Sequence, residues 1–395
     1  MSVKNERQFL SIPGPTTVPD EVLAAMHRPA IDIRKGELVE VTATLKDGLR
    51  MVSKSEGTPF IYIANGHGAW EAALSNVLSR DDKILVLESG SFAMGWGQAG
   101  GTMGLDVEVL PGSWRKSVDP NALEARLKED KSRDIKAVLV VQVDTASSVI
   151  NDIPAIRRAI DNAGHDALFM VDTIASLGTM DFRMDEWGVD VTVAACQKGL
   201  MMSPGISFVI ANKKALARHE TANLRTAYWD WTNRLGPEHY QNYAGTPPVH
   251  MLFGLQKAFE MIRAEGLKAI FLRHQLLAEA TRAAVAKWSE GNELSFNIIN
   301  PAERANSVTT VLVANGNSLE AIHEYCNRKC GVVIGVGISE LSGKALRIAH
   351  MGHINAPMLL GTLSAVEMSM KARNISHGSG GVQAAIDYLA KNVPQ

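Results

Sequence analysis

The sequence has little cysteine and no long apolar run. Its 395 residues include 3 cysteines, too few to form a disulfide framework in a chain of this length. No apolar run approaches the roughly 20 residues that a membrane-spanning helix needs. The first ten residues, MSVKNERQFL, lack the apolar core of a signal peptide. We therefore expect neither a secreted disulfide scaffold nor a membrane protein, and a reducing cytoplasm is the expected compartment.

An excess of charge of either sign is also lacking. The 40 Lys and Arg residues against 42 Asp and Glu residues give a formal net charge of -2. This balance offers no basic footprint for nucleic acid and no acidic tail. The chain is long enough for a large core and two domains. Its 46% hydrophobic and 21% charged residues are typical of a globular protein.

Short apolar runs alternate with helical stretches through the first half of the chain. Such alternation predicts an α/β fold with a mainly parallel sheet and helices on both faces. The predicted strands are Phe60–Ala64, Lys83–Glu88, Leu105–Leu110, Ile135–Val143, Ala167–Asp172, Asp190–Ala195 and Ile206–Ala211.

The pattern changes after Pro247-Pro248. Two long helical stretches, from about Val249 and from Leu267, precede a smaller α+β unit with strands near Leu294–Ile299, Ser307–Val313 and Ala345–Ala349. We predict an N-terminal arm over residues 1–20, a large cofactor-binding domain over 21–265 and a small C-terminal domain over 266–395.

Two apolar strands of the predicted sheet lead to charged residues. The segment ALFMVD ends on Asp172, and the segment DVTVAACQK carries Lys198 just beyond its apolar part. Alone, Asp172 could be a helix cap or an ion-pair partner, and Lys198 a surface charge. Together they supply the lysine amine and the carboxylate for a ring nitrogen that pyridoxal 5'-phosphate (PLP) needs. Because open α/β sheets bind ligands beyond the carboxyl ends of their strands, we expect both residues in one site.

A glycine turn between a strand and a helix offers an anion site. It lies in FIYIANGHGAW, residues 60–70, with Gly66 and Gly68, where backbone N–H groups and a helix dipole suit a phosphate. Glu71 occupies the third glycine position of the dinucleotide fingerprint, and Glu340 does so after Gly335 and Gly337. Neither glycine pair therefore supports a nicotinamide cofactor.

Longer motifs extend nearly from end to end. They are Pro13-Gly14-Pro15, DFRMDEWGVDV (residues 181–191) followed by Gln197-Lys198, YAGTPPV (243–249), GKALRIAHMG (343–352) and Gly378–Gly381. In these motifs the chain resembles the class V, fold-type I PLP-dependent aminotransferases, specifically the serine/alanine–glyoxylate aminotransferase branch. The resemblance implies a large domain with a mainly parallel central sheet and a smaller C-terminal α+β domain. It also implies ping-pong transfer of an amino group from serine, alanine or aspartate to glyoxylate or pyruvate.

The resemblance further implies roles for single residues. Lys198 is expected to form the Schiff base and to carry the proton between the substrate α-carbon and the cofactor, while Asp172 pairs with the ring nitrogen. The other expected contacts are Ile174 and Phe92 on the ring faces, Thr145 near the phenolic oxygen, Gly66, His67, Gly68 and Gln197 around the phosphate, and Arg347 on the substrate carboxylate.

The resemblance also implies a homodimer with shared active sites, which could assemble into a tetramer. Tyr243 and Thr246 are expected to reach the phosphate in the neighbouring subunit, and Ile33 and Arg34 to stand at the substrate mouth. The chain departs from the family pattern at Asn65 and His67, where hydroxyl residues are usual, at Cys196, where serine is usual, and at Ile33, where an aromatic residue or histidine is usual. Because Ile33 offers no polar group, we expect small substrates.

Three alternatives remain open. A lyase or desulfurase on the same fold would place histidines where this chain has Gln197 and Phe92. A pyridoxamine–pyruvate aminotransferase would carry an extra arginine in the loop that here contains Val336 and Ile338. A PLP-binding protein without catalysis would not need Lys198, Asp172 and Arg347 together. No metal site is expected, because the pairs His350/His353 and Cys326/Cys330 have no third ligand cluster.

Overall fold

The computed structural model describes residues 2–5 and 8–394 and contains two large β-sheets. The strands are β1 (Phe9–Ser11), β2 (Thr58–Tyr62), β3 (Lys83–Leu87), β4 (Asp106–Leu110), β5 (Ile135–Val141), β6 (Val143–Asp144), β7 (Val149–Ile150), β8 (Leu168–Asp172), β9 (Val191–Ala195), β10 (Ser207–Ala211), β11 (Leu294–Phe296), β12 (Val308–Val313), β13 (Val332–Val336) and β14 (Ala345–Ala349). The α-helices are α1 (Asp20–Met26), α2 (Glu37–Ser53), α3 (Gly66–Val77), α4 (Ser91–Thr102), α5 (Pro120–Glu129), α6 (Ile153–Asn162), α7 (Lys213–Thr221), α8 (Trp231–Arg234), α9 (Val249–Glu265), α10 (Leu267–Trp288), α11 (Gly316–Tyr325), α12 (Ala356–Ala372) and α13 (Gly381–Asn392).

The first sheet has seven strands in the order β2-β10-β9-β8-β5-β3-β4. The pairs among β9, β8, β5, β3 and β4 are parallel, and β10 is antiparallel to both β2 and β9. All seven predicted strands are present, with bounds shifted by at most two residues. The prediction of an α/β fold with a mainly parallel central sheet is confirmed.

Both faces of this sheet are covered, which explains the continuous apolar runs. Neighbouring residues of one strand belong to different hydrophobic clusters: Phe169 and Val171 to one, Leu168 and Met170 to the other. Successive side chains of a strand point to opposite faces, so each cluster packs on its own face. Asp172 is the last residue of the same strand. Its side chain therefore lies at the carboxyl end of the sheet, directly after a fully apolar segment.

The second sheet has five strands in the order β1-β13-β14-β12-β11. Strands β11, β12 and β14 match the predicted strands, whereas β1 and β13 were not predicted. Strand β1 is only three residues long and pairs in parallel with β13, more than 300 positions away in the chain. So short a strand has no periodicity of its own, and its partner determines it.

The two long helices α9 and α10 are separated by a single residue, Gly266, which has φ +82°. A positive φ of this size suits glycine, and it lets the chain change direction between the helices. The predicted domain boundary falls here and stays a prediction. Within residues 2–5 and 8–394, no helix combines the length and the apolar character required to cross a membrane.

Candidate cofactor and substrate site

A cavity of about 520 Å³ lies between the carboxyl ends of β5, β8 and β9, the start of α3, the arm, and strands β13 and β14. Both sheets and the arm thus contribute to one site. The lining residues are Ile12, Pro13, Gly14, Pro15, Asn65, Gly66, His67, Trp70, Phe92, Val141, Val143, Thr145, Asp172, Ile174, Ala175, Gln197, Lys198, Pro204, Ile334, Gly335, Val336, Ile338 and Arg347.

Asp172 is held by hydrogen bonds at both carboxylate oxygens. Its Oδ1 accepts from the backbone N–H of Ile174 at 2.7 Å, and its Oδ2 accepts from Nε1 of Trp70 at 2.6 Å. Only 2% of its surface is exposed, and burial raises its pKa to about 7, against the lowering effect of these two bonds. A buried carboxylate of this kind gains stability from a cation placed beside it.

Lys198 follows β9 in a tight turn and is likewise buried. Burial, followed by the nearby positive charge of Arg347, lowers the pKa of its amine to about 8. The amine donates a hydrogen bond to the carbonyl oxygen of Pro13. A Cβ at Gly14 would lie 2.6 Å from the lysine side chain, and Gly14 has φ +93°. Glycine is therefore required where the arm passes over Lys198.

Arg347 approaches the cavity from the second sheet. Its Nε donates to the carbonyl oxygen of Val336 at 2.7 Å, and its Nη1 donates to the carbonyl oxygen of Thr145 at 3.1 Å. Burial lowers the pKa of its guanidinium. No carboxylate in the described part of the chain forms an ion pair with Arg347. Two of its five N–H groups are used, so the others are left for an anion.

The first residues of α3, Gly66 and His67, line one end of the cavity. The Asn65 side chain caps this helix, because its Oδ1 accepts from the N–H groups of His67 at 3.1 Å and Gly68 at 3.4 Å. A Cβ at Gly66 would lie 2.4 Å from Cδ1 of Ile174, so the helix start and the Ile174 side chain need glycine to approach this closely. The positive end of the helix dipole faces the cavity and favours an anion there.

Phe92 lies at the start of α4 and is positioned by a carboxylate. Oδ2 of Asp144 accepts from the N–H groups of Phe92 at 2.8 Å and Ala93 at 3.1 Å, and its Oδ1 accepts from that of Ala146 at 3.0 Å. Asp144 is fully buried, and burial raises its pKa. This acid ties the α4 start to the loop that carries Thr145.

Most of the predicted site residues meet in this cavity. Those in its lining are Gly66, His67, Phe92, Thr145, Asp172, Ile174, Gln197, Lys198 and Arg347. Those outside it are Gly68, whose N–H points to Asn65, and Ile33, Arg34, Tyr243 and Thr246.

Tyr243 is buried within its own chain. It is 0% exposed, and its hydroxyl lies 2.7 Å from Oγ1 of Thr42. Burial also raises the pKa of its phenol. Thr246, three residues on, is exposed. Tyr243 therefore anchors the segment within this chain, and the expected contact of Tyr243 and Thr246 with a neighbouring subunit stays a prediction.

Sequence reasoning did not place Trp70, Asp144 or the predicted arm at the site, where the structure has them. Trp70 does not differ by pattern from the other apolar residues of its helix. Asp144 directly follows the predicted strand Ile135–Val143, the same signal that marks Asp172, and could have been found by it. Cys196, one of the departures from the family pattern, is not among the lining residues: it is fully buried, and burial raises the pKa of its thiol to about 12.

The wall fits the cofactor that the sequence implies. It provides an amine of lowered pKa at Lys198, a buried carboxylate at Asp172 and a helix start at Gly66. In addition, Oε1 of Gln197 is buried with no hydrogen-bond partner among the described residues, and a buried polar atom normally has one. Residues 2–5 and 8–394 contain no group of three or more His, Cys, Asp or Glu side chains able to hold a metal ion.

Comparisons with known proteins agree with this geometry. The family model described as aminotransferase class-V matches residues 9–354. The chain is 38% identical to a serine–glyoxylate aminotransferase of Methylorubrum extorquens, over 98% of this chain and 97% of that protein, and 35% identical to an L-aspartate–glyoxylate aminotransferase of Paracoccus denitrificans, over 95% of each. The crystal structure of pyridoxamine-pyruvate aminotransferase from Mesorhizobium loti superposes with a TM-score of 0.88 at 26% identity, covering 100% of both chains. The chain belongs to the class-V aminotransferase family.

Proposed function

We propose that this protein is a PLP-dependent aminotransferase that moves an amino group from a small amino acid to glyoxylate or pyruvate. The observation that carries the proposal is that Lys198, Asp172 and Arg347, far apart in sequence, line one cavity. When bound, PLP supplies an electron-poor ring that stabilises negative charge at the substrate α-carbon. The protein has to hold that ring, keep its nitrogen protonated, bind the substrate carboxylate and move a proton.

Lys198 binds the cofactor and moves the proton. A lysine attacks a carbonyl only as the neutral amine, and the pKa of about 8 makes that form accessible near neutral pH. The contact with Pro13 gives the amine a hydrogen-bond acceptor when it is not bound to the cofactor. One flexible side chain thus serves as nucleophile and as proton carrier.

Asp172 keeps the ring nitrogen protonated. Opposite charges at contact distance favour both charged forms, and burial strengthens the attraction. The two hydrogen bonds to its oxygens fix the carboxylate in one orientation. Phe92 and Ile174 then provide apolar contacts for the ring.

Arg347 binds the substrate carboxylate. The amino acid and the 2-oxo acid both present a carboxylate beside the reacting carbon, so one clamp serves both half-reactions. A planar guanidinium can bind a carboxylate through two parallel hydrogen bonds. Its contacts with the carbonyl oxygens of Val336 and Thr145 hold the group in place without neutralising it.

The cavity favours small neutral side chains. Val336, which contacts Arg347, and Ile12 and Ile338 are apolar residues of the lining. Besides Arg347, the described lining contains one lysine, Lys198, and that lysine would hold the cofactor. Apart from Arg347 and Lys198, the described lining that this chain supplies offers no further lysine or arginine for a distal carboxylate such as that of aspartate, so serine and alanine are the proposed donors.

Adding single amino acids to the PLP-loaded protein tests the proposal. Serine or alanine alone should convert the cofactor from its aldehyde form to its amine form, and glyoxylate or pyruvate should restore the aldehyde form. A lyase or desulfurase would return the aldehyde form without an acceptor. If pyridoxamine serves as amino donor and the amino acids do not, the protein is a pyridoxamine–pyruvate aminotransferase, and the proposal is wrong. Arg158→Lys, an exposed change on α6, is the control for nonspecific effects.

A homodimer in a reducing cytoplasm completes the proposal. Thr246 is exposed next to the buried anchor Tyr243, which suits a contact with a second copy, and the three cysteines are free. Sedimentation at assay concentration together with PLP retention by Thr246→Ala tests the dimer. A monomer that retains full activity would contradict it.

A further inference from the structure

Trp70 joins three of the residues that are proposed to hold the cofactor. Its Nε1 donates to Oδ2 of Asp172 at 2.6 Å. Its ring centroid lies 4.6 Å from that of His67, edge to face, and 6.4 Å from that of Phe92. Trp70 lines the cavity, although only 2% of its surface is exposed.

The indole N–H of Trp70 donates to one of the two oxygens of the Asp172 carboxylate, Oδ2. Oδ1 is already bonded to the backbone N–H of Ile174, which the chain itself fixes. Oδ2 has the indole as its side-chain donor, and without that donor the carboxylate could rotate about its Cβ–Cγ bond. A donor to the anion favours the carboxylate over the neutral acid, and only the carboxylate can balance a protonated ring nitrogen.

We infer that Trp70 is a positioning residue for Asp172: its indole N–H holds Oδ2 so that the carboxylate keeps one orientation and stays anionic toward the cofactor ring. The inference rests on the proposed function, since it takes PLP as the ligand. It goes beyond that function because it assigns control of the ring-nitrogen proton to a residue that lies outside the lysine, aspartate and arginine set.

A neighbouring indole separates the hydrogen bond from packing. The ring of Trp96 stacks on that of Trp70 with centroids 6.2 Å apart and planes 17° apart. Trp96 is 0% exposed, and its Nε1 has no hydrogen-bond partner within the part of the chain that the structure describes. The two tryptophans therefore share burial and packing but differ in the bond to Asp172, which makes Trp96→Phe a matched control for Trp70→Phe.

The experiment compares two probes on the apoprotein. One is PLP, and the other is its analogue with C–H in place of the ring nitrogen, which cannot pair with Asp172. We expect the wild type and Trp96→Phe to bind PLP more tightly than the analogue by the same ratio. In Trp70→Phe this ratio should fall about tenfold, the low end for losing a hydrogen bond to a charged group.

A second readout follows the proton directly. With PLP labelled with ¹⁵N in the ring, the nitrogen should give a protonated signal in the wild type and in Trp96→Phe, and a signal moved toward the neutral form in Trp70→Phe. If Trp70→Phe does not fold, β-(3-benzothienyl)alanine at position 70 keeps the ring shape and replaces the N–H by sulfur.

The outcomes separate the inference from the proposed function. If the change at position 70 alters neither the binding ratio nor the ¹⁵N signal of the bound PLP ring, the inference alone is overturned. An equal fall in Trp96→Phe would overturn it too, because packing would then explain the loss. A wild type that binds both probes equally would overturn both the inference and the proposed role of Asp172.

Discussion

The two ends of the cavity are built in different ways. Asp172 stands at the end of a parallel strand whose residues are all buried, and hydrogen bonds occupy both of its oxygens. Arg347 lies on an antiparallel strand of the other sheet, half-buried, and its partners are two backbone carbonyl oxygens.

In the proposed function, this difference separates the residue that acts on the cofactor ring from the residue that binds the substrate. The Asp172 end has little freedom, because the interior of the first sheet fixes its backbone and two donors fix its side chain. The Arg347 end is formed by loops, the arm and a second sheet, and none of the contacts of Arg347 that are described above involves Asp172. An enzyme assembled in this way can change its substrate while it keeps its cofactor chemistry.

Lys198 serves both ends, so its removal should have the largest effect. Lys198→Ala should lower turnover by about 10⁴-fold or more, because nucleophile and proton carrier are lost together. The measurement is kcat with serine and glyoxylate, with Lys344→Ala, an exposed change, as control. Cofactor still fixed covalently to the variant by borohydride, detected by mass, would contradict the assignment.

Asp172→Asn should break the chemical end alone. Leaving a buried charge without its partner costs about 3–5 kcal/mol, which predicts a slowing of the half-reaction by roughly 150- to 5,000-fold with PLP still bound. The rate of conversion of the cofactor to its amine form, followed by absorbance with excess serine, checks this. A near-normal rate would remove Asp172 from the mechanism.

Arg347→Lys should break the recognition end more mildly. Losing one charge-assisted hydrogen bond costs about 1.5–3 kcal/mol, or roughly 10- to 150-fold in kcat/KM. The loss should appear for the donor and for the acceptor alike, because both carboxylates use the clamp. If neither half-reaction is affected, Arg347 is structural, and Arg34 becomes the next candidate.

The smallest expected effect is on the pH dependence of PLP attachment to Lys198, which the charge of Arg347 influences. A pKa of about 8 for Lys198 means that the reactive neutral amine is scarce below that pH, so the rate of PLP attachment to the apoprotein should rise with pH and level off above about 8. Arg347→Met removes a positive charge that lowers this pKa, and the midpoint should then move to higher pH. Stopped-flow absorbance measures both curves, and a wild-type midpoint near 10 would contradict the burial argument.

The parts of the site that follow apolar strands could be predicted from the sequence. Asp172, Lys198 and Gly66 each lie at the end of a strand or at the start of a helix, where a local pattern shows them. The α/β fold, predicted from the alternating apolar runs, and the family, predicted from the resemblance of the longer motifs, are confirmed, whereas the single-residue roles stay predictions.

The rest depends on contacts between distant parts of the chain. Trp70 looks like any core residue in its helix, and only the packing of α3 turns its N–H toward Asp172, 102 positions away. The anchor of Tyr243 is Thr42, 201 positions away. Strand β13, with a glycine within VVIGV, has no clear strand pattern of its own. Its pairing with β1 and β14 defines it.

The path of the arm has a consequence for synthesis. Ser11 donates to the carbonyl oxygen of Ala349, 338 positions later, and Thr16 bonds to the carbonyl oxygen of Lys198 at 3.0 Å. At roughly 5–20 residues per second, the ribosome adds the partner of Ser11 on the order of 20–70 seconds after the arm itself. The contact of Ser11 therefore has to wait for residue 349, whereas the contact of Thr16 with Lys198 needs only the chain up to residue 198.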